Sequence, residues 1–379
     1  MSQMKIPAVF MRGGTSKGLF FHERDLPAGD AARDRFLLSA FGSPDPYGNQ
    51  LNGMGGGASS LSKTIIVRPS THPEADIDYL HGQVSVEGPT IDYSGNCGNL
   101  SAAVGPFAID EGLIAPTVRD GEVLVRLHNL NSNTLIHARV PVRDGRFAPD
   151  GDFVLPGVAG TSARIALDYR RPGAPDTGAL FPTGKLVEQI VIDGQTFTAT
   201  LAYAPLPMVW VRAEDVGLDA TIAPADMDAN RPAMRLLDRI RRQGAKRMGL
   251  CDTPQNAPLA SPKIGIVGAP RDYTALDGQA VRANEADLAV RVVSMGKAHK
   301  AIPLTGAMCL AAATLATGSV PAVACIRPVA GPDVRLATPS GVLAVGAELN
   351  HERGMLHAER TIVYASARRL MDGFVYGQG

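Results

Sequence analysis

The sequence has few cysteines, no excess of charge of either sign and no long apolar run. Its four cysteines, Cys97, Cys251, Cys309 and Cys325, include no Cys-x-x-Cys pair, so neither a disulfide framework nor a zinc site is expected. The 37 Lys and Arg residues equal the 37 Asp and Glu residues in number and are scattered along the chain. This balance argues against a nucleic acid or a membrane surface as the partner and favours a small soluble ligand.

Signals for export or membrane insertion are also missing. The first residues, MSQMKIPAVFMRGG, lack the unbroken apolar core and the cleavage site of a signal peptide. No stretch of about 20 apolar residues follows them. We therefore expect a cytoplasmic protein with no membrane partner.

The length of 379 residues exceeds the size of about 250 to 300 residues at which a single hydrophobic core stops growing. Three pairs of segments also resemble each other in the same order along the two halves, which indicates an internal duplication. Each half reads as strands, an alanine-rich helix that is apolar on nearly all sides, and further strands. The paired segments are 18–26 with 208–216, 98–114 with 305–320, and 125–140 with 334–349.

A helix that is apolar all round must be enclosed. The sequence therefore predicts an α+β fold in which each half curls a mixed β-sheet around one central α-helix. The expected domains are residues 1–183 and 184–379, and the last strand is a candidate to pack back on the first domain.

Four glycine-rich segments have compositions suited to holding a ligand: 11–18, 52–64, 94–101 and 294–308. None of them fits a P-loop or a dinucleotide-binding motif. Two predicted helices begin inside these segments, at about 97–101 and 304–307. Free N–H groups at a helix start bind anions, so we expect carboxylate sites there, formed by the main chain of Gly98, Asn99, Thr305 and Gly306.

Two side chains in these segments are candidates for proton transfer. Cys97 lies at the N-terminal end of a predicted helix, where the helix dipole favours a thiolate; the alternative is a small buried hydrophobic residue. Lys63 follows a run of small residues at the start of a predicted strand. A lysine becomes a general base near neutral pH when burial or positive charge disfavours its ammonium form; the alternative is a surface lysine.

Five segments together resemble the PrpF family, whose members isomerise double bonds in small unsaturated polycarboxylic acids. They are MRGGTSKG, SPDPYGNQLNGMGGGASSLSKT, YSGNCGNLSAAVGPFAI, FPTG and SMGK followed by AH, and the resemblance covers nearly the whole chain. It implies the diaminopimelate epimerase-like fold, two related domains with the active site in the cleft between them. The family includes 2-methylaconitate cis-trans isomerase, 4-oxalomesaconate tautomerase and methylitaconate isomerase. Its proposed acid and base residues match Cys97 and Lys63.

One departure from the related epimerases is informative. Those enzymes use two facing cysteines, one from each half, and Cys309 resembles the second. Counted from Thr305 and Gly306, however, Cys309 falls about one turn inside the helix, so we expect it to be a packing residue. The missing second thiol argues against amino-acid epimerisation.

The expected mechanism is an allylic proton transfer. Neutral Lys63 removes a proton, the helix-start N–H groups hold the carboxylates, and Cys97 either returns a proton or stabilises the dienolate. Such transfers need no metal and no organic cofactor. Further residues expected to bind the substrate, or to order its loops, are Arg12, Thr15, Ser16, Lys17, Ser60, Lys297 and His299.

The sequence is compatible with more than one substrate and more than one kind of function. The first half is closer to the methylaconitate enzymes and the segment HKAIPLTGAMCLAAA to the oxalomesaconate and methylitaconate isomerases, which favours a broader polycarboxylate isomerase. A non-catalytic tricarboxylate-binding accessory protein of an aconitase-like enzyme is the main alternative, and an amino-acid epimerase is another. The sequence leaves open whether the protein forms a homodimer.

Overall fold

The computed structural model describes residues 3–326 and 333–379, and the chain divides into two compact units. Unit 1 comprises Met1–Asp168 with Tyr364–Gly379, and unit 2 comprises Tyr169–Val363. The division predicted from the sequence, 1–183 and 184–379, stays a prediction beside these units.

Unit 1 contains the strands and helices of the first half of the chain. A short 3-10 turn, Glu23–Asp25, follows its second strand. In chain order the elements are β1 (Gln3–Gly13), β2 (Ser16–His22), α1 (Asp30–Phe41), β3 (Lys63–Pro69), β4 (Ile77–Val84), β5 (Ile91–Asp92), α2 (Gly98–Asp110), β6 (Gly121–Asn129), β7 (Thr134–Arg143), β8 (Arg146–Phe147) and β9 (Ile165–Arg170), which continues into unit 2.

Unit 2 follows, and the chain then returns to unit 1. In chain order the elements are β10 (Glu188–Ile192), β11 (Gln195–Tyr203), β12 (Pro207–Arg212), α3 (Pro224–Ala229), α4 (Arg231–Arg247), β13 (Lys263–Gly268), β14 (Tyr273–Thr274), β15 (Ala280–Val281), β16 (Leu288–Ser294), β17 (Lys297–Ala298), α5 (Leu304–Leu315), α6 (Val320–Ala324), β18 (Asp333–Thr338), β19 (Gly341–Glu352), β20 (Met355–Ala365) and β21 (Ala367–Gln378). Strand β21 belongs to unit 1, where it pairs antiparallel with β1.

The two units repeat one sheet topology. In unit 1 the neighbours β1-β2-β3-β4-β6-β7 pair in the order antiparallel, parallel, antiparallel, parallel, antiparallel. In unit 2 the neighbours β11-β12-β13-β16-β18-β19 pair in the same order. The segments paired in the sequence analysis fall on equivalent elements: β2 and β12 with their 3-10 turns, α2 and α5, and the hairpins β6–β7 and β18–β19. The predicted α+β fold and its internal duplication are confirmed.

The sheet of unit 1 has two buried faces, because successive side chains of a strand point to opposite sides. One face, with Leu19 and Phe21 of β2, packs against Phe36 of α1. On the other face, the ring of Phe20 lies 5.6 Å from the ring of Phe107 in α2. Side chains in register with Phe20 therefore lie on the α2 side of the sheet.

The central helices α2 and α5 are buried along almost their whole lengths. Strands of the same unit contact each of them on several sides, as expected for helices without a polar face. In the described parts of the chain, no helix has both the length and the apolar character needed to cross a membrane.

The neighbouring strands β12 and β13 provide a test of packing in unit 2. Trp210 is fully buried and lies beside Gly265 in the parallel register. A Cβ atom at Gly265 would lie 2.2 Å from Cζ3 of Trp210. The substitution Gly265→Ala must therefore displace the indole ring or the strand, and we expect it to lower the free energy of unfolding by about 1–3 kcal/mol. Urea unfolding followed by the fluorescence of Trp210, the single tryptophan of the sequence, measures the change.

The matched control is Gly306→Ala in α5. There a Cβ atom would make only ordinary contacts, the nearest being 3.5 Å from the sulfur of Met208, and alanine is favoured over glycine in a helix. We expect its unfolding midpoint to stay close to that of the wild type. Equal midpoints for the two variants would contradict the packing described for Trp210.

Candidate active site

Lys63 is held by a hydrogen bond to a side chain of the adjacent strand. It is the first residue of β3, is 9% exposed, and lies between Gly18 of β2 and Gln83 of β4. Its Nζ donates to Oε1 of Gln83. The Nε2 group of Gln83 donates in turn to the carbonyl oxygens of Ser62 at 2.9 Å and Ser59 at 3.1 Å. Because the amide nitrogen is taken up by these carbonyls, the amide oxygen faces the amine of Lys63.

Gly18 brings Lys63 close to the start of α2. A Cβ atom at this position would lie 2.3 Å from the carbonyl oxygen of Lys63 and 3.1 Å from Cδ1 of Leu100. Only glycine allows β2, β3 and the first turn of α2 to approach so closely. Packing therefore requires glycine at position 18, and this close contact sets where Lys63 lies relative to α2.

Cys97 is the residue immediately before α2, as predicted. Its backbone is extended, with φ −108° and ψ 96°, and its side chain is half-buried. Its carbonyl oxygen accepts hydrogen bonds from the backbone N–H of Ser101 at 3.0 Å and from Oγ of Ser101 at 3.1 Å. The first backbone N–H groups of the helix, including those of Gly98 and Asn99, have no acceptor within the helix and are available to an anion.

Side chains of β4 hold the segment that leads into Cys97. The hydroxyl of Tyr79 lies 2.7 Å from Oγ of Ser101 and donates to Oδ1 of Asn96 at 3.2 Å. Nδ1 of His81 lies 2.8 Å from the carbonyl oxygen of Gly95. Since a carbonyl only accepts, this nitrogen carries the proton and donates it, which assigns the tautomer of His81.

His81 is a buried, neutral histidine that the sequence analysis did not identify. It is 4% exposed. Burial, and then the positive charge of Lys63, lower the pKa of His81 to about 3. Its Nε2 is buried and has no hydrogen-bond partner in the described part of the chain. The signal in the sequence was the recurrence of Tyr79, His81 and Gln83 at every second position of β4, a strand that also carries Asp78 on its other face.

The turn between β1 and β2 packs on the first turn of α2. A Cβ atom at Gly13 would lie 2.6 Å from the carbonyl oxygen of Asn99. Gly14 has φ +52°, and a Cβ atom there would lie 2.1 Å from Oδ1 of Asn99. The same Oδ1 accepts the backbone N–H of Thr15 at 3.2 Å. Thr15 and Asn99, both predicted to bind substrate, are therefore brought together by their own hydrogen bond.

Arg12 makes structural contacts with the main chain. Its Nη1 donates to the carbonyl oxygens of Gly14 at 2.9 Å and Ser366 at 3.0 Å. Burial, and then the nearby charge of Arg368, lower the pKa of Arg12. The guanidinium thus links the β1–β2 turn to the segment before β21, and substrate binding by Arg12 stays a prediction.

A main-chain hydrogen bond joins the loop that contains Ser60 to β2, which begins at Ser16. Ser16 is buried at the first position of β2. The carbonyl oxygen of Ser60 accepts the backbone N–H of Lys17 at 2.9 Å. This bond fixes the glycine-rich loop that precedes Lys63 to the strand that carries Gly18.

The remaining predicted site residues belong to unit 2. Nδ1 of His299 accepts the backbone N–H of Ala301 at 3.0 Å, and burial lowers the pKa of His299 to about 4, so the ring is neutral. Thr305 and Gly306 lie in the first turn of α5, which begins at Leu304, as predicted. Cys309 is fully buried, and burial raises the pKa of its thiol to about 12. The prediction that Cys309 packs in the core is confirmed.

The described residues contain no group of three or more His, Cys, Asp or Glu side chains placed to hold a metal ion. Unit 1 carries an amine at Lys63, a thiol at Cys97 and the free N–H groups of a helix start. An amine accepts a proton, a thiol donates one, and helix-start N–H groups bind a carboxylate. This set of groups suits proton transfer at a carbon atom close to a carboxylate.

Comparison with known proteins gives the family. The sequence profile described as PrpF protein matches residues 3–378. The 2-methyl-aconitate isomerase of Shewanella oneidensis is 42% identical over 389 residues, which cover 98% of this chain and 97% of that protein.

Two solved structures extend the comparison. A methylitaconate-delta-isomerase is 34% identical with a TM-score of 0.86, and the match covers 100% of this chain and 96% of that one. A hydroxyproline epimerase from Agrobacterium vitis is 15% identical with a TM-score of 0.54, over 98% of this chain and 92% of that one. The second likeness concerns the fold alone, which is of the diaminopimelate epimerase-like type. The family profile and the relative from Shewanella, each matching nearly the whole chain, show that the protein belongs to the PrpF family.

Proposed function

We propose that the protein is an isomerase of small unsaturated di- or tricarboxylates. It moves their C=C bond, or changes its cis-trans geometry, by allylic proton transfer. The observation that supports it most is the placement of Lys63: a nearly buried lysine whose amine meets a neutral amide, on the side of the sheet that faces α2. Its relatives are named as isomerases of such acids. We expect the reaction to need only protein side chains, because acid and base groups suffice for proton transfer.

In the proposed first step, neutral Lys63 removes a proton from the carbon next to the double bond. The electron pair of the broken C–H bond enters the conjugated system and gives a dienolate, whose charge spreads onto a carboxylate. The N–H groups of Gly98 and Asn99 are oriented to stabilise that charge. Donors fixed in place before the reaction stabilise the developing charge without the cost of reorienting water.

In the proposed second step, a proton is added to the other end of the allylic system. Cys97 is the proposed donor: its S–H bond breaks and the proton goes to carbon. The ammonium group of Lys63 then releases its proton to solvent and the thiolate takes one up, so both groups return to their starting states. Addition at the far carbon moves the double bond. Return of the proton to the original carbon, after rotation in the dienolate, inverts the geometry instead. One intermediate therefore accounts for both double-bond migration and cis-trans isomerisation.

The substrate is proposed as a class. The relative named 2-methyl-aconitate isomerase is 42% identical, and the methylitaconate-delta-isomerase is 34% identical; the first is a tricarboxylate enzyme and the second acts on a dicarboxylate. We propose 2-methylaconitate as the first acid to test, with methylitaconate, 4-oxalomesaconate and trans-aconitate beside it. We also propose that the protein works in the cytoplasm and binds neither nucleic acid nor a membrane, because its basic and acidic residues are equal in number. The proposal makes no use of a second subunit.

Amino-acid epimerisation is not part of the proposal. A two-thiol mechanism needs a second cysteine that can ionise beside the substrate. Cys309 is fully buried in α5, and burial raises the pKa of its thiol to about 12. A thiol in that state does not serve as a base at neutral pH.

Replacing the proposed base tests the proposal directly. We expect Lys63→Ala to lower kcat by about 10²- to 10⁴-fold, the range typical of a lost acid–base group. Proton NMR of each acid in D2O measures two events at once, double-bond movement and entry of deuterium at the allylic carbon. Both should disappear together in Lys63→Ala, because proton removal precedes both.

The control is Lys185→Ala, which removes an exposed lysine of unit 2 and should leave both rates unchanged. Tight binding of an acid by wild type and by Lys63→Ala, with no isomerisation or exchange in either, would replace the isomerase by a carboxylate-binding accessory protein.

Replacing the proposed acid separates the two steps. If Cys97 returns the proton, Cys97→Ser should keep deuterium exchange into the substrate while product formation falls by about 10²-fold or more. Equal losses of exchange and product formation would mean instead that the thiol stabilises the dienolate. Cys251→Ser, at a half-buried cysteine of unit 2, is the matched control. The same NMR time course measures both rates.

A further inference from the structure

Strand β4 bonds Lys63 and the segment that leads into Cys97. Its residues Tyr79, His81 and Gln83 alternate along the strand, so their side chains share one face. In the antiparallel register Gln83 lies opposite Lys63, and His81 lies opposite Ile65. Ile65 is in turn beside Phe20, whose ring lies near α2. The shared face is therefore the one that faces the central helix.

We propose that Gln83 and His81 are positioning residues of the reaction: Gln83 aims the amine of Lys63, and His81 fixes the main chain two residues before Cys97. This inference rests on the proposed function, since it assigns roles relative to that base and that acid. Neither residue is proposed to exchange a proton with the substrate.

Gln83 is suited to its role because its amide is held at the other end. Its Nε2 donates to the carbonyl oxygens of Ser62 and Ser59, which leaves Oε1 to accept from the amine. A neutral acceptor orients the amine without adding the negative charge that would stabilise the ammonium form. The direction of the amine is thus set by a neutral group.

His81 is suited to its role because it is neutral and donates from a single nitrogen. Its Nδ1–H bonds the carbonyl oxygen of Gly95 at 2.8 Å, and its pKa of about 3 keeps the ring uncharged over the working pH range. Asn131 holds the same region from another side: its Nδ2 donates to the carbonyl oxygens of Tyr93 and His81. The segment that leads into Cys97 is thus hydrogen-bonded to β4, the strand that also bonds Lys63 through Gln83.

The test for Gln83 uses two variants. Gln83→Met keeps the length but removes the acceptor; we expect kcat to fall about 10- to 100-fold with KM within twofold, and exchange to fall with isomerisation. Gln83→Glu keeps an acceptor and adds a charge that favours the ammonium form, so the rising limb of log(kcat/KM) against pH should move to higher pH. The titratable groups on this side of the sheet include His81, Cys97 and Asp92, which lies opposite Gln83 on β5. His81 stays neutral, and hydrogen bonds with Ser94 lower the pKa of Asp92, so neither group changes its charge near neutral pH. Gln189→Met, at an exposed position of β10, is the matched control.

The test for His81 separates its two nitrogens. Asparagine can present a donor close to the place of Nδ1 but has nothing at the place of Nε2, whereas leucine has neither. We expect His81→Leu to lower product formation at least tenfold more than deuterium exchange, and His81→Asn to recover most of the loss. Failure of His81→Asn to recover activity would overturn the assigned role, because the important atom would then be Nε2. His351→Asn, at an exposed position of β19, is the control.

Folding and function are kept apart in these experiments. The fluorescence and unfolding midpoint of each variant show whether it folds; if Gln83→Met or His81→Leu does not, the conservative variants Gln83→Glu and His81→Asn decide. An unshifted pH profile in Gln83→Glu, or wild-type kcat in Gln83→Met and His81→Leu, overturns the inference while the proposed function stands.

If the wild type neither isomerises nor exchanges any acid, the proposed function fails, and the positioning claim is then judged by the rate at which iodoacetamide alkylates Cys97. A rate changed severalfold in His81→Leu and restored in His81→Asn supports the claim, and an unchanged rate refutes it.

Discussion

The close packing of three glycines of β1, β2 and their turn against the first turn of α2 and the start of β3 is the constraint on which unit 1 depends. Gly13, Gly14 and Gly18 all face this turn or the strand beside it, and a Cβ atom at each would lie within 2.6 Å of another atom. Any larger residue would separate β2 from the helix. This contact sets where the helix begins, where the β1–β2 turn lies and how near Lys63 comes to Leu100. The candidate active site follows from it, because both proton-transfer groups lie on the elements that it joins.

The electrostatics of the site follow from what surrounds Lys63. A carboxylate in the place of Gln83 would hold the lysine as an ammonium ion, whereas an amide accepts the hydrogen bond without attracting charge. His81 contributes no charge either, because burial and the nearby amine lower its pKa to about 3. Burying polar groups disfavours folding unless each is hydrogen-bonded, and most of the groups on this face of β4 have partners. The unpartnered Nε2 of His81 is the exception among the described residues on this face.

Much of this could be predicted from the sequence, for physical reasons. The duplication was visible because buried helices and strand-turn-strand segments keep their apolar pattern, and the start of α2 at Gly98 followed from glycine and asparagine before an apolar run. The burial of Cys309 could be predicted because it lies about one helical turn after Thr305 and Gly306. His81 and Gln83 were missed because their partners, Gly95 and Lys63, are distant in the sequence, and only the β3–β4 register brings them together. The acceptor of Arg12, Ser366, could not be predicted either, because it lies at the other end of the chain.

The repeated topology shows how unevenly the chemistry is divided. Lys263 begins β13 as Lys63 begins β3, and it lies beside Met208 where Lys63 lies beside Gly18. Its amine donates to the carbonyl oxygen of Ala260 at an exposed position.

Two further positions differ between the units. Gly265 of β13 lies opposite Val292, whereas the equivalent Ile65 of β3 lies opposite His81. The residue before α5 is Pro303, whereas the residue before α2 is Cys97. At these two positions unit 2 thus keeps the scaffold without the imidazole or the thiol. A racemase that must protonate either face of one carbon needs comparable groups in both halves, whereas transfer between the two ends of an allylic system can be carried out by one base and one acid within a single unit. The asymmetry of the repeat therefore favours allylic isomerisation on chemical grounds that are independent of the relatives' names.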